Sequence, residues 1–162
     1  MKEVAIVLLL AVVLTGCSNT STTVPVSSGS VWATEMVGGS GTSSGFSFNL
    51  QFTLSGTNMN ISNFELINSD TCFGANTVTA AGTLDITANS DNQVSGTMSF
   101  TLSSAAGDVV TLASSSVTGT GSTASNGAPL TGGVITGMWT LVPASGSGCV
   151  TAAGSFTMTE GK

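Results

Sequence analysis

Serine hydroxyls, carboxylates and thiols are the groups with which this chain could do covalent or acid–base chemistry, because it contains no histidine and no tyrosine. Gly41-Thr42-Ser43-Ser44-Gly45 has the G-x-S-x-G spacing of a nucleophile elbow. That chemistry needs a base to take the hydroxyl proton, and a strand-to-helix turn to expose it. Neither is offered: the two lysines are Lys2 and Lys162, at the ends, and the pattern leads into a strand. Glycosidic chemistry needs two facing carboxylates. Glu35, Glu65, Asp70, Asp85, Asp91, Asp108 and Glu160 are instead scattered at about one per strand or turn, as solvated surface charges are. Asp85 lies between Leu84 and Ile86, so alternation points it outward. Asn68-Ser69-Asp70 and Asn89-Ser90-Asp91-Asn92 carry oxygen ligands of the kind calcium takes, but neither has the spacing of a binding loop. Both read as turns. The expectation is a protein that is not an enzyme and that has no metal site and no cofactor.

The thiols are Cys17, Cys72 and Cys149. Cys17 follows Met1-Lys2-Glu3 and an uncharged apolar run from Val4 to Leu14, which is too short to span a bilayer and has the length of a signal-peptide core. Leu14-Thr15-Gly16-Cys17 at its end resembles the lipobox of bacterial lipoproteins. The resemblance implies removal of residues 1–16 and a diacylglyceryl group on the Cys17 sulfur, with acylation of the new amino terminus. Two or three chains on one residue give firm attachment, since stable anchoring takes more than one. Ser18 in place of aspartate after the cysteine implies the outer membrane in such lipoproteins. Glu3 offsets Lys2 and departs from the usual basic start. With Cys17 lipidated in an oxidising compartment, Cys72 and Cys149 are left as an even pair and are expected to form a disulfide. Metal binding by two cysteines without histidine is a poor alternative.

Past the leader the chain keeps seven acids and one base, Lys162. So little positive charge excludes nucleic acid as a partner and leaves membrane contact to the acyl chains. The apolar fraction, 41%, is too high for a disordered chain. Residues 17–30, rich in serine and threonine with one proline, read as the lipidated cysteine and a flexible tether. Ser18 to Ser30 would reach about 43 Å at full extension.

Residues 31–162 read as one β domain. From Phe46 to Leu54 apolar and polar residues alternate without exception, and Gln93–Leu102 does the same with Val94, Gly96, Met98, Phe100 and Leu102 on one face. Further strands are expected at Val31–Val37, Met59–Leu66, Thr77–Ala81, Thr83–Thr87, Val109–Ala113, Val134–Leu141 and Val150–Thr159. Turn residues at Ser55–Asn58, Asn89–Asn92 and Ala105–Asp108 separate several of them, and no helical period is present. Residues 38–45 and Thr118–Gly133 read as loops.

A Gly-x-apolar-x-apolar unit recurs at Gly82/Leu84/Ile86, Gly96/Met98/Phe100, Gly137/Trp139/Leu141 and Gly154/Phe156/Met158. Residues 77–87 also echo 149–159. Glycine on the core face marks bending or close approach, which a barrel needs. The expected fold is therefore all-β, a single antiparallel meander closing into a small β-barrel of about eight strands, with a two-sheet sandwich as the alternative. The mature region is similar in texture to uncharacterised Ser/Thr/Gly-rich β-lipoproteins of environmental bacteria, which implies no activity. The functional expectation is a lipid-anchored envelope protein with a structural or interaction role and an envelope protein as partner. The alternative is a lipocalin-like carrier, with Trp32, Phe48, Met98, Phe100, Trp139 and Phe156 lining an apolar ligand.

Overall fold

Alternation, strict in some strands and interrupted in others, puts one face of the sheet out of water, and eight strands bury that face by closing on themselves. The computed structural model describes residues 23–39, 45–68, 72, 79–123 and 127–161. The strands are β1 (Trp32–Gly38), β2 (Ser47–Ser55), β3 (Asn58–Asn68), β4 (Thr79–Ala88), β5 (Val94–Ser103), β6 (Val109–Thr120), β7 (Thr131–Val142) and β8 (Ala152–Glu160). They form a closed antiparallel barrel in sequence order, with β8 paired back to β1 from Trp32↔Glu160 to Gly38↔Gly154. The meander and barrel expectation holds, and the sandwich does not.

Three boundaries differ from the sequence reading. Thr77–Ala81 and Thr83–Thr87 are not two strands: Thr79–Ala88 runs unbroken through Gly82 and pairs with β5 along its whole length. Thr118–Gly133 is not one long loop, because β6 continues to Thr120 and β7 begins at Thr131. β8 begins at Ala152, which leaves Val150 exposed in the preceding connection.

Inward faces carry the core: Phe48, Leu50, Phe52, Leu84, Ile86, Phe100, Leu102, Leu112 and Ile135 are fully buried. Outward faces carry Ser95, Thr97 and Ser99 on β5, Thr83, Asp85 and Thr87 on β4, and Ser155, Thr157 and Thr159 on β8, all exposed. A membrane-spanning barrel has the reverse arrangement, with an apolar band outside.

The recurring glycines lie where the adjoining strand comes close. Gly82 is paired with Phe100, Gly96 with Ile86, Gly137 with Phe156 and Gly154 with Trp139. The last is the most exacting. Trp139 crosses the inner face of Gly154 and its indole N–H donates to the Val37 carbonyl of β1 at 3.1 Å, so one side chain ties β7 to β1 over β8. A Cβ on Gly154 would run into that carbonyl and the indole. Glycine covered by an aromatic side chain is a recurrent device of strongly bent sheets.

Among the described residues β3 meets β4 at a single register pair, Asn58↔Thr83, reinforced by the Leu84 N–H to Thr57 O bond of 2.8 Å. Pairing of β4 with β5 runs over ten positions.

The barrel has two different ends. Its base carries the β2–β3, β4–β5 and β6–β7 connections, and its apex the β1–β2, β3–β4, β5–β6 and β7–β8 connections. The expected tether turns out to be part of the base from Thr23 onward. Val24 is fully buried, with its N–H donating to the Ile86 carbonyl at 3.0 Å, and the Pro25 carbonyl accepts from Leu130 N–H at 2.8 Å. Val26 is also buried. Glu160 completes the closure by accepting from Ser30 Oγ at 2.7 Å and Gly133 N–H at 3.0 Å. The physical reason is that the base would otherwise expose Leu130 and Ile86 to water. Burial of a valine side chain contributes about 1.5–3 kcal/mol. Val24→Ser is accordingly expected to cost about 2 kcal/mol in urea unfolding, whereas Ser28→Ala, at an exposed position, should stay within about 0.5 kcal/mol. Equal effects would mean that the segment is a tether after all.

Candidate functional site

Two places in this fold have features that go beyond holding strands together: the apolar interior and the apex. All six residues expected to line a ligand are inside the barrel. Trp32, Phe48 and Phe100 are fully buried, and Met98, Trp139 and Phe156 nearly so. They sit in one continuous core, in which the rings of Phe48 and Phe100 stack at 5.9 Å between centroids and Trp32 meets Phe52 at 5.7 Å. Phe48 also touches Phe64 of β3 at 5.1 Å.

Among the described residues, two surface depressions stand out. One of about 470 Å³ lies over β8, β1, β2 and the end of β3, with Glu35, Asn49, Ile67 and Thr157 on its walls. The other, of about 410 Å³, lies at the base beside Leu130 and Glu160. Of the six candidate ligand-lining residues only Phe48 borders either of them. The six instead belong to one continuous cluster of buried side chains, whose ring contacts are of the kind found in protein cores. Two polar atoms interrupt it: Trp32 Nε1 and Thr34 Oγ1, both buried on the inner face of β1, have no hydrogen-bond partner among the described residues.

At the apex, Cys72 and Cys149 form the expected disulfide, with 5.8 Å between their Cα atoms. It joins the β3–β4 connection to the β7–β8 connection across the barrel mouth. Cys72 is partly buried and packs against the core. Phe64 packs on the core at this end.

The sequence reading took Asp108 for a surface charge, yet it is buried and organises the apex. Its Oδ1 accepts from Ala144 N–H at 2.9 Å and its Oδ2 from Ser104 Oγ at 2.8 Å, while its own N–H donates to Ser104 Oγ at 3.0 Å. The Ser147 hydroxyl also donates to it, and Ser147 Oγ accepts from Cys149 N–H at 3.2 Å. The connection that carries Cys149 therefore hangs on this carboxylate. Ser104 four residues before Asp108, with Gly107 between them, is the local signal, since such spacing closes a turn through side chains.

Hydrogen bonds from Ser147, Ala144 and Ser104 hold the Asp108 carboxyl below its ordinary value of 3.8, against the opposing effect of burial. A carboxyl with a folded-state pKa below its unfolded one stabilises the fold above the unfolded value, and this is lost as pH falls through the folded value. Asp108→Asn should therefore be less stable than the parent at pH 7. The difference should shrink as pH drops from about 4 downward, as followed by urea midpoints at stepped pH. A gap that stays constant to pH 2 would remove Asp108 from the apex's acid response.

The other acids stay apart. Glu35, Glu65 and Asp85 are exposed on β1, β3 and β4. Asp91 is in the β4–β5 turn, where the Asn89 side-chain oxygen accepts from the N–H groups of Asp91 and Gln93, both at 2.9 Å. That stretch is a turn closed on itself, as read. Asp70 and Ser43 lie outside the described residues, as does Cys17. Among the described residues no three His, Cys, Asp or Glu side chains group to hold a metal ion. Comparison with protein-family models, curated proteins and solved structures gives no match for this chain.

Proposed function

We propose that the protein is a lipid-anchored lipoprotein of the cell envelope, with a non-catalytic structural or interaction role carried by a rigid barrel. The observation that carries this reading is Leu14-Thr15-Gly16-Cys17 at the end of an uncharged apolar run, directly upstream of a closed barrel with a polar outer face. The paired thiols support it, because structural disulfides belong to oxidising compartments. The exposed side chains are mostly uncharged hydroxyl and amide groups with few acids among them, joined by the apolar Val37, Ile67, Met138, Val142 and Val150. A partner protein of the envelope suits such a surface, and nucleic acid does not.

The carrier alternative has one observation in its favour. Trp32 Nε1 and Thr34 Oγ1 are an orphaned donor and an orphaned hydroxyl, two residues apart on the same inner face, where the polar head of an otherwise apolar ligand would satisfy them. The packing of the surrounding rings weighs against it.

Intact-mass spectrometry of protein extracted from its own membrane tests both readings. The anchored reading expects a chain beginning at Cys17 with acyl mass on that residue and nothing retained in the interior. An uncut chain with an unmodified Cys17 thiol would sink it. A stoichiometric apolar molecule that is released on denaturation would favour the carrier.

A further inference from the structure

The base of the barrel holds the first described residues of the chain, and very little sequence separates them from Cys17. Val24 is fixed under the barrel by burial and by its bond to Ile86, with Pro25 bonded to Leu130. Six residues, Ser18 to Thr23, separate it from Cys17. At full extension that path spans about 25 Å, and about 15 Å as a coil. Strands of seven to twelve residues, all but β1 of nine or more and tilted as in small barrels, make the barrel itself about 25–30 Å tall. The leash is thus no longer than the barrel.

We propose that the base is the face held against the phospholipid headgroups and that the apex is carried outward, an inference that rests on Cys17 being the lipid anchor. The base fits that position chemically. Its turns, Ser27–Ser30, Ser55–Asn58 and Asn89–Asn92, are serine, glycine, threonine and asparagine with a single acid, Asp91. They can hydrogen-bond to headgroups and offer almost no charge to be repelled by an anionic lipid surface. The opposite end bears the exposed apolar side chains of Val37, Ile67, Val142 and Val150, together with the disulfide. A long tether would let the domain tumble and present any face. Attachment through a buried residue of the base makes the apex the surface that is displayed.

The test uses acylated full-length protein in phosphatidylethanolamine/phosphatidylglycerol vesicles that contain a headgroup-nitroxide lipid. A fluorophore is attached to a single added thiol at either of two exposed turn positions, Ser90→Cys at the base or Ala106→Cys at the apex. Severalfold stronger quenching at the base is expected, and the contrast should shrink when twenty Gly/Ser residues are inserted after Asn19. Equal quenching at the two positions, stronger quenching at the apex, or a contrast indifferent to the insertion would overturn the orientation while leaving the anchor standing. Vesicle flotation and intact mass separate the other failure: protein that neither floats nor carries acyl chains would remove the anchor, and the orientation with it.

Discussion

Replacing both bridged cysteines, Cys72→Ser with Cys149→Ser, is expected to lower stability by about 4 kcal/mol, and by no less than about 2 kcal/mol. The two residues are separated by 77 positions. In the loop-closure picture, cross-linking so long a stretch removes about 4–5 kcal/mol worth of freedom from the unfolded chain. A domain of this size is stable by only about 5–15 kcal/mol in all, so the loss would be a large share. Position adds to it, because the bond reaches from the β3–β4 connection, beside the least-paired joint, to a connection already fixed by Asp108. The measurement is urea unfolding of the oxidised parent and the double variant, with near-ultraviolet circular dichroism to show that the folded barrel is unchanged. A midpoint shift worth less than about 0.5 kcal/mol would mean that the hydrogen bonds around Asp108 hold the apex without help.

Phe100→Ala is expected to cost about 3–5 kcal/mol, the range for truncating a buried phenylalanine. The ring is fully buried, stacks on Phe48 and covers Gly82, whose missing side chain leaves the β4 backbone bare beneath it. Alanine would remove both sets of contacts from strands already paired along their length, so the site has little freedom to collapse. Ser99→Ala, one residue away and facing water, should stay within about 0.5 kcal/mol. The contrast also bears on the carrier alternative. An interior that already contains open space has fewer contacts to lose, which would bring Phe100→Ala to the bottom of the range or below it. Chemical denaturation of the two variants side by side reads this directly.

Most of the architecture was legible because alternation was clean. β2, β5 and β8 each keep one phase from end to end, and all three were found with boundaries within two or three residues. Where the phase slips, the reading failed. In β6, Val110 and Leu112 face inward, and then Val117 does, an odd step that period two cannot follow. The cause is a bulge: the register to β7 shifts between Ala113 and Ser116, and Ser114 Oγ donates to the Thr136 carbonyl at 2.6 Å. β3 slips in the same way between Ile61 and Phe64, where the register shift to β2 leaves Ser62 as the extra residue. That strand was found because its apolar residues are large enough to show through. The base was missed for a different reason. Val24-Pro25-Val26 has two apolar residues in phase, but three residues among serines and threonines cannot be told from a tether without seeing the opening they cover. Asp108 was misplaced because solvation is the common fate of an acid beside a glycine turn, and only the folded apex brings Ala144 and Ser147 to it. The recurring glycines were read correctly as sites of close approach. What approaches them, the Phe100, Phe156 and Trp139 rings at Gly82, Gly137 and Gly154 and the β4 backbone at Gly96, had to come from the folded sheet.

Among the described residues β3 and β4 share a single register pair, which makes this the joint where the cylinder is expected to open first. In a ring of staves the gap between first and last would be the natural place to split, yet β1 and β8 are joined along seven positions. The split therefore falls inside the sequence. Opening there would unroll the wall into a curved sheet with β3 and β4 as its free borders, while β4 to β8 stay zipped. Free borders also invite pairing between molecules, and few charged side chains stand on them to prevent it. Reducing conditions would free that split of its only covalent tie to the far wall. For this protein the redox state of its surroundings would set how often neighbouring copies can be stitched together, as well as how firmly each one holds.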